Sequence, residues 1–127
     1  MLKKPTLIVA ITIIYSIALA TVSLIKFNNS PDIGVSFGDK IFHAVSYALL
    51  TFLWFMAFLY SFKLKKKQAI FFAVILSVIF GILIEVLQEA ITDSRTLDVY
   101  DVVANTFGTL LISIVLWFKN NSHIKNT

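Results

Sequence analysis

The chain has 127 residues, 58% hydrophobic and 14% charged, with no cysteine and a net charge of +4. A soluble domain carries about 45–50% apolar and about 25% charged residues, so this composition argues against a soluble enzyme, a disordered tail and a nucleic-acid-binding module. Without cysteine there is no disulfide, thiol nucleophile or thiolate metal site, and the length allows one domain.

A membrane-spanning helix needs about 20 mainly apolar residues, and four segments qualify. Residues 6–25 carry no charge. Behind Lys3-Lys4, the triplet Ala18-Leu19-Ala20 also reads as a signal-cleavage site. The apolar run continues past it through Val22, Leu24 and Ile25, so an uncleaved span is expected. Residues 26–38 are a loop rich in turn formers: Asn28, Asn29, Ser30, Pro31, Gly34 and Gly38. The second span, 41–62, includes His43, and Lys63, Lys65, Lys66 and Lys67 follow it. The third, 69–88, carries Glu85 near its end; a short polar loop at 92–96 leads to the fourth, 99–118, with Asp101 near its start. Lipid cannot satisfy open backbone groups, so the spans are expected to be helical; barrel strands would be shorter and would alternate apolar with polar residues. The expectation is an all-α, four-transmembrane-helix bundle in a single domain, residues 1–127.

Charge sets the expected direction. Lys3, Lys4, Lys63, Lys65, Lys66, Lys67, Lys119 and Lys125 fall on one side, eight of the eleven basic residues. The other side holds Lys26, Lys40 and Arg95 together with all seven acids. The positive-inside rule makes the lysine-rich side, and both termini, cytoplasmic. Tyr60, Trp117 and Tyr100 sit at span ends, as an aromatic belt requires, whereas Trp54 falls mid-span.

Helical spacing sorts the polar residues into three stripes. Asp39, His43 and Tyr47 recur every four residues on span two, with Ser46 beside them. Gly81, Glu85, Gln88 and Glu89 share a face of span three, and Asp98, Asp101, Asn105 and Gly108 a face of span four. Asp39-x-x-x-His43 and Asp101-x-x-x-Asn105 are short echoes of each other. Each stripe starts at the acidic side and runs inward; Asn105 lies about 9 Å below Val99. A charge at mid-bilayer costs about 2.5–3.5 kcal/mol, so the stripes are expected to face one another around an outward-open cavity. His43, Glu85 and Asp101 would then lie within about 10 Å of one another. Lys40 and Arg95 are the expected counter-charges, and Arg95 is expected to pair with Glu85, Asp98 or Asp101 through its two-pronged guanidinium. Span one, with only small hydroxyls such as Thr12 and Ser16, is expected to flank this group.

Two readings of the stripes compete. Polar side chains glue membrane helices together, and Gly81 and Gly108 permit close approach. The same residues also form a site, in which His43 backed by Asp39 is the candidate acid–base group and Glu85 and Asp101 are candidate catalytic partners. Lys40, Tyr47, Gln88, Arg95, Asp98 and Asn105 are candidate binding residues. The carboxylates and imidazole are metal-ligand types, yet no compact metal motif is present, so metal and cofactor stay open. The lysine run reads as a topology anchor with anionic-lipid attraction as a by-product.

These residues resemble the VanZ-like family of small bacterial membrane proteins. The resemblance lies in Asp39-Lys40-x-x-His43-x-x-x-Tyr47, Gly81-x-x-x-Glu85-x-x-Gln88 and Arg95-x-x-Asp98-x-x-Asp101-x-x-x-Asn105-x-x-Gly108, and covers residues 39–116. One departure is the loop Ile91-Thr92-Asp93-Ser94-Arg95, which lacks a proline before the arginine. The resemblance implies a multi-pass protein of the bacterial cytoplasmic (inner) membrane with a cell-envelope role; the family's namesake is associated with resistance to teicoplanin-type glycopeptide antibiotics. The function expected is binding, with or without modification, of a lipid-linked or surface envelope component or a phospholipid head group. The alternative is a non-enzymatic accessory subunit whose polar face docks a partner. Membrane lipids are the expected partners and nucleic acid is not.

Reporter fusions after Lys67 and after Thr127 should both read cytoplasmic; an external reading at either position overturns the topology.

Overall fold

Apolar runs of this length have one open-ended solution in lipid, the helix, and helices are what form. A computed structural model of the chain describes residues 4–29, 37–91 and 99–119, with side chains for 4–24, 40–90 and 99–119. In order come α1 (Lys4–Asn29), α2 (Phe37–Met56), a π-helical turn (Ala57–Ser61), α3 (Lys66–Ile91) and α4 (Val99–Phe118). All four long helices are apolar and long enough to cross a membrane.

Local chemistry explains their ends. Pro5 occupies the first turn of α1, where a missing N–H costs nothing. α2 widens into the π turn, closed by Phe62 N–H donating to Ala57 O at 3.1 Å. Lys63 then takes a left-handed φ of 59° and Leu64 N–H donates back to Phe58 O at 2.9 Å, a cap that stops a helix. The π turn also lets Ser61 Oγ donate to Pro5 O at 2.6 Å, tying α2 to the start of α1. At the start of α3, Gln68 Oε1 accepts from Lys65 N–H at 3.3 Å, half of a capping box. Asp101 sits in the first turn of α4, where the helix end is partly positive. At the other end of α4, the buried Lys66 donates from Nζ to the carbonyls of Trp117 and Lys119, each at 3.2 Å. One member of the lysine run is therefore a helix cap as well as a charge anchor.

Burial is inverted relative to a soluble protein. Ile14, Ile17, Val45, Phe71, Phe107 and Phe118 are exposed, while Thr12, Ser16, Thr51, Ser77 and Thr109 are buried. Lipid is as apolar as leucine, so helices gain by turning small and hydrogen-bonding residues toward one another. Helices α2, α3 and α4 all touch, and α1 lies against α2 and α3 with no contact to α4 among the described residues.

The closest crossing is α2 on α4. A Cβ on Gly108 would lie 1.9 Å from Ala44 O, so only glycine fits. About one turn deeper, the Thr51 hydroxyl donates to Tyr47 O at 2.7 Å, and its oxygen lies 2.9 Å from Ser77 Oγ and 3.0 Å from Thr109 Oγ1. One hydroxyl from each of three helices thus meets at the bundle centre. Below it, Phe55, Ala69, Ala73 and Leu116 form an apolar cluster toward the lysine-rich end. Helix α1 is joined by side chains too. Tyr15 OH donates to Ser46 O at 2.8 Å, Thr12 Oγ1 reaches Leu53 O at 3.3 Å, and Trp54 Nε1 donates to Ser16 Oγ at 3.1 Å. The mid-span tryptophan, which fits no interfacial belt, has its polar edge satisfied inside the bundle.

Gly108→Ala should lose more than the roughly 1–3 kcal/mol usual for overpacking, because backbone must move. At Gly81 a Cβ would meet Asn105 Nδ2 at 3.1 Å and Tyr47 Cε2 at 3.2 Å, side-chain atoms that can yield. Gly81→Ala should therefore cost less. Thermal unfolding of both variants in one detergent checks the order, and equal losses would refute it.

Candidate functional site

Helices α2 and α4 run parallel, so their polar stripes lie side by side from the same end. Lys40 and His43 are one turn apart on α2, and Asp101 and Asn105 one turn apart on α4. They form two rungs. Lys40 Nζ donates to Asp101 Oδ1 in an ion pair. His43 Nδ1 lies 3.1 Å from Asn105 Oδ1, and His43 Nε2 lies 3.7 Å from Asp101 Oδ2. With the Asn105 oxygen accepting, Nδ1 carries the proton and Nε2 is the nitrogen that faces the carboxylate. The two oxygens of Asp101 thus serve different neighbours, an ammonium and an imidazole. The Asp101 side chain is 4% exposed, against 17% for Lys40 and 13% for His43, so both bases lie nearer the surface than the acid they share. The echoed motifs of the sequence are physically opposed here: His43 meets Asn105.

Helix α3 supplies the third side. Gly81 places its backbone against Asn105 and Tyr47, and Glu85, one turn on, is buried. Tyr47 is 1% exposed, packs on Phe80, and stands within electrostatic reach of both Glu85 and Asp101. His43 and Asp101 therefore meet, 3.7 Å apart, while Glu85 is buried on α3 one turn from Gly81.

The stripes also reach other neighbours. Gln88 is buried and donates from Nε2 to Ser23 O of α1 at 3.0 Å, so its amide nitrogen links α3 to α1. Glu89 is exposed. The side chain of Asp39, and Arg95 and Asp98 entirely, lie outside the described residues, as does the expected Arg95 pairing. Among the described residues no three His, Asp or Glu side chains are grouped as a metal ion would need.

The three hydroxyls lie just past the inner ends of the predicted stripes. Thr51 is four residues beyond Tyr47, Ser77 four before Gly81, and Thr109 four beyond Asn105. Each hydroxyl continues its stripe inward, at a position that hydropathy does not separate from a lipid-facing one.

A family model described as VanZ/LLP1 matches residues 5–120. The chain belongs to the VanZ/LLP1 family. No curated protein and no solved structure matches it. The family match takes in α1, whereas the motif resemblance begins at residue 39. The VanZ-like motifs of α2 and α4 supply both halves of the two rungs, and that of α3 supplies Gly81 and Glu85. This VanZ/LLP1 chain is thus a membrane protein with a charged, imidazole-containing cluster at the end opposite its lysine run.

Removing one partner of this part-buried ion pair strands the other. Lys40→Met and Asp101→Asn should each cost about 1–3 kcal/mol, and the double variant clearly less than their sum. Unfolding of the four proteins in mixed micelles measures the coupling; simple additivity would refute the pair.

Proposed function

We propose that this VanZ-like protein sits in the cytoplasmic membrane of a bacterium with the Lys40–Asp101–His43–Asn105 cluster facing outward. There it binds, and in an enzymatic version modifies, a lipid-linked or surface envelope component carrying an anionic head group. The observation that carries this reading is the cluster itself. The centre of the same bundle is held by close packing and by three neutral hydroxyls, so packing does not demand an ion pair and an imidazole. Ionisable groups at membrane depth mark functional sites by default. The outward direction rests on the eight-to-three split of basic residues.

The chemistry follows from the geometry. Lys40 is already engaged by Asp101, so a phosphate or carboxylate head group binds by exchanging with that carboxylate, helped by Arg95 where its fork can reach. In the enzymatic version His43 takes a proton at Nε2, and Asp101, 3.7 Å away, stabilises the imidazolium. This supports Asp101 in the backing role expected of Asp39. Glu85 and Tyr47, both buried, line the α3 and α2 sides, and Gln88 and Asp98 remain proposed binding residues on the same stripes. An altered response to glycopeptide antibiotics is one consequence such an envelope role would have.

The cluster also satisfies much of its own hydrogen bonding, and this favours a second reading: an accessory subunit that docks a partner and performs no reaction. A transmembrane path is disfavoured, because the polar line stops at Phe55, Ala69, Ala73 and Leu116.

Mass spectrometry of lipids and lipid-linked glycans co-purifying with the parent chain, His43→Ala and Asp101→Asn tests the proposal. A species enriched on the parent should fall at least several-fold on both folded variants. Identical lipid profiles across the three would sink the binding reading and leave the docking one.

A further inference from the structure

The opposite end of the bundle carries a separate feature. A groove of about 710 Å³ runs between α3 and α4, lined by Lys67 and Gln68 at its rim and by Ile70, Phe71, Val74 and Trp117 along its walls. It is shallow and open toward the lipid along most of its length. Phe71 is 60% exposed and Trp117 46%, so the walls face the lipid. The rim is differently made. Lys67 Nζ stands 5.7 Å from the centre of the Trp117 ring, which leaves ammonium N–H groups able to donate elsewhere. Its neighbour Lys66 is spent on the carbonyls ending α4, so Lys67 is the cation that the groove presents.

The electrostatics have one sign. Among the described residues this end carries Lys4, Lys63, Lys65, Lys66, Lys67 and Lys119, and the acids Glu85, Glu89 and Asp101 are all at the other end. An occupant must therefore be anionic at the rim and apolar along the walls. A free phosphate would leave the aromatic walls unused, and a neutral lipid would leave Lys67 without a counter-ion.

We propose that this groove is a binding site for one anionic phospholipid, whose phosphate meets Lys67 and whose acyl chain lies along Phe71, Val74 and Trp117. It is distinct from the Lys40–Asp101 cluster and does not depend on the function assigned there. The cation over the indole ring holds Lys67 at the rim before the lipid arrives, which reduces the side-chain freedom lost on binding. Juxtamembrane lysines favour anionic over zwitterionic lipid by about fivefold each, and the groove adds a fixed position to that attraction.

Trp117 reports its own occupant. In the Trp54→Phe chain, reconstituted into vesicles, its fluorescence is quenched by brominated phosphatidylglycerol or, separately, by brominated phosphatidylcholine at equal mole fraction. The expected result is tighter apparent binding of the anionic lipid, with the preference lowered about fivefold in Lys67→Gln and kept in Lys67→Arg. Equal quenching by both lipids overturns the proposal, as does a preference that Lys67→Gln leaves undiminished. Quenching by neither lipid overturns it also, and gives the groove to a second copy of the chain. Should Trp54→Phe fail to fold, native mass spectrometry of the parent and Lys67→Gln counts retained phosphatidylglycerol directly, with loss of one bound lipid expected.

Discussion

Everything at the polar end depends on how closely α2 approaches α4. Asp and Asn have short side chains, and Asp101 and Asn105 reach Lys40 and His43 only because the two backbones nearly touch at Ala44 and Gly108. A methyl group at residue 108 would wedge the helices apart just below the rungs. Close approach is also what membrane helices use in place of a hydrophobic driving force. The same glycine is therefore both packing glue and a condition for the charged cluster, and the two readings of the stripes are not exclusive.

The parallel arrangement of α2 and α4 adds a second effect. Both helices begin at the polar end, so both partly positive N-termini lie beside the acid. Asp101 is held by an ammonium, approached by an imidazole and placed in the first turn of its own helix. At the other end Lys66 does the reverse, setting a cation on the carbonyls that close α4. Helix α4 is thus terminated by opposite charges at its two ends, each on the side where the helix itself favours it.

Much of this was legible because membrane sequences keep few polar residues, and those few are informative. Hydropathy located the four helices, and spacing of four put Asp101 beside Asn105 and His43 beside Tyr47. The glycines at 81 and 108 were visible as small residues on the same stripes. Three things were hidden. Thr51, Ser77 and Thr109 are nearly neutral in hydropathy, so nothing distinguished them from lipid-facing hydroxyls until the helices were packed. Gln88 shares a stripe with Glu85, yet its amide nitrogen turns to α1, because a stripe as broad as that of Gly81, Glu85, Gln88 and Glu89 meets two neighbours. Lys66 looked like its neighbours in the basic run; only the position of the end of α4 separates it from them. In each case the missing information was the placement of a neighbouring helix, which no single-helix pattern contains.

The apolar cluster of Phe55, Ala69, Ala73 and Leu116 divides the bundle into a polar half and a dry half. An electric field across a membrane falls mostly over its least polarisable layer. In the outward-facing arrangement proposed above, most of the voltage drop lies across the apolar cluster and little across the Lys40–Asp101 rung. Moving a unit charge through the full potential is worth about 2.3 kcal/mol per 100 mV, so a charge entering the polar end in that arrangement crosses only a small part of it.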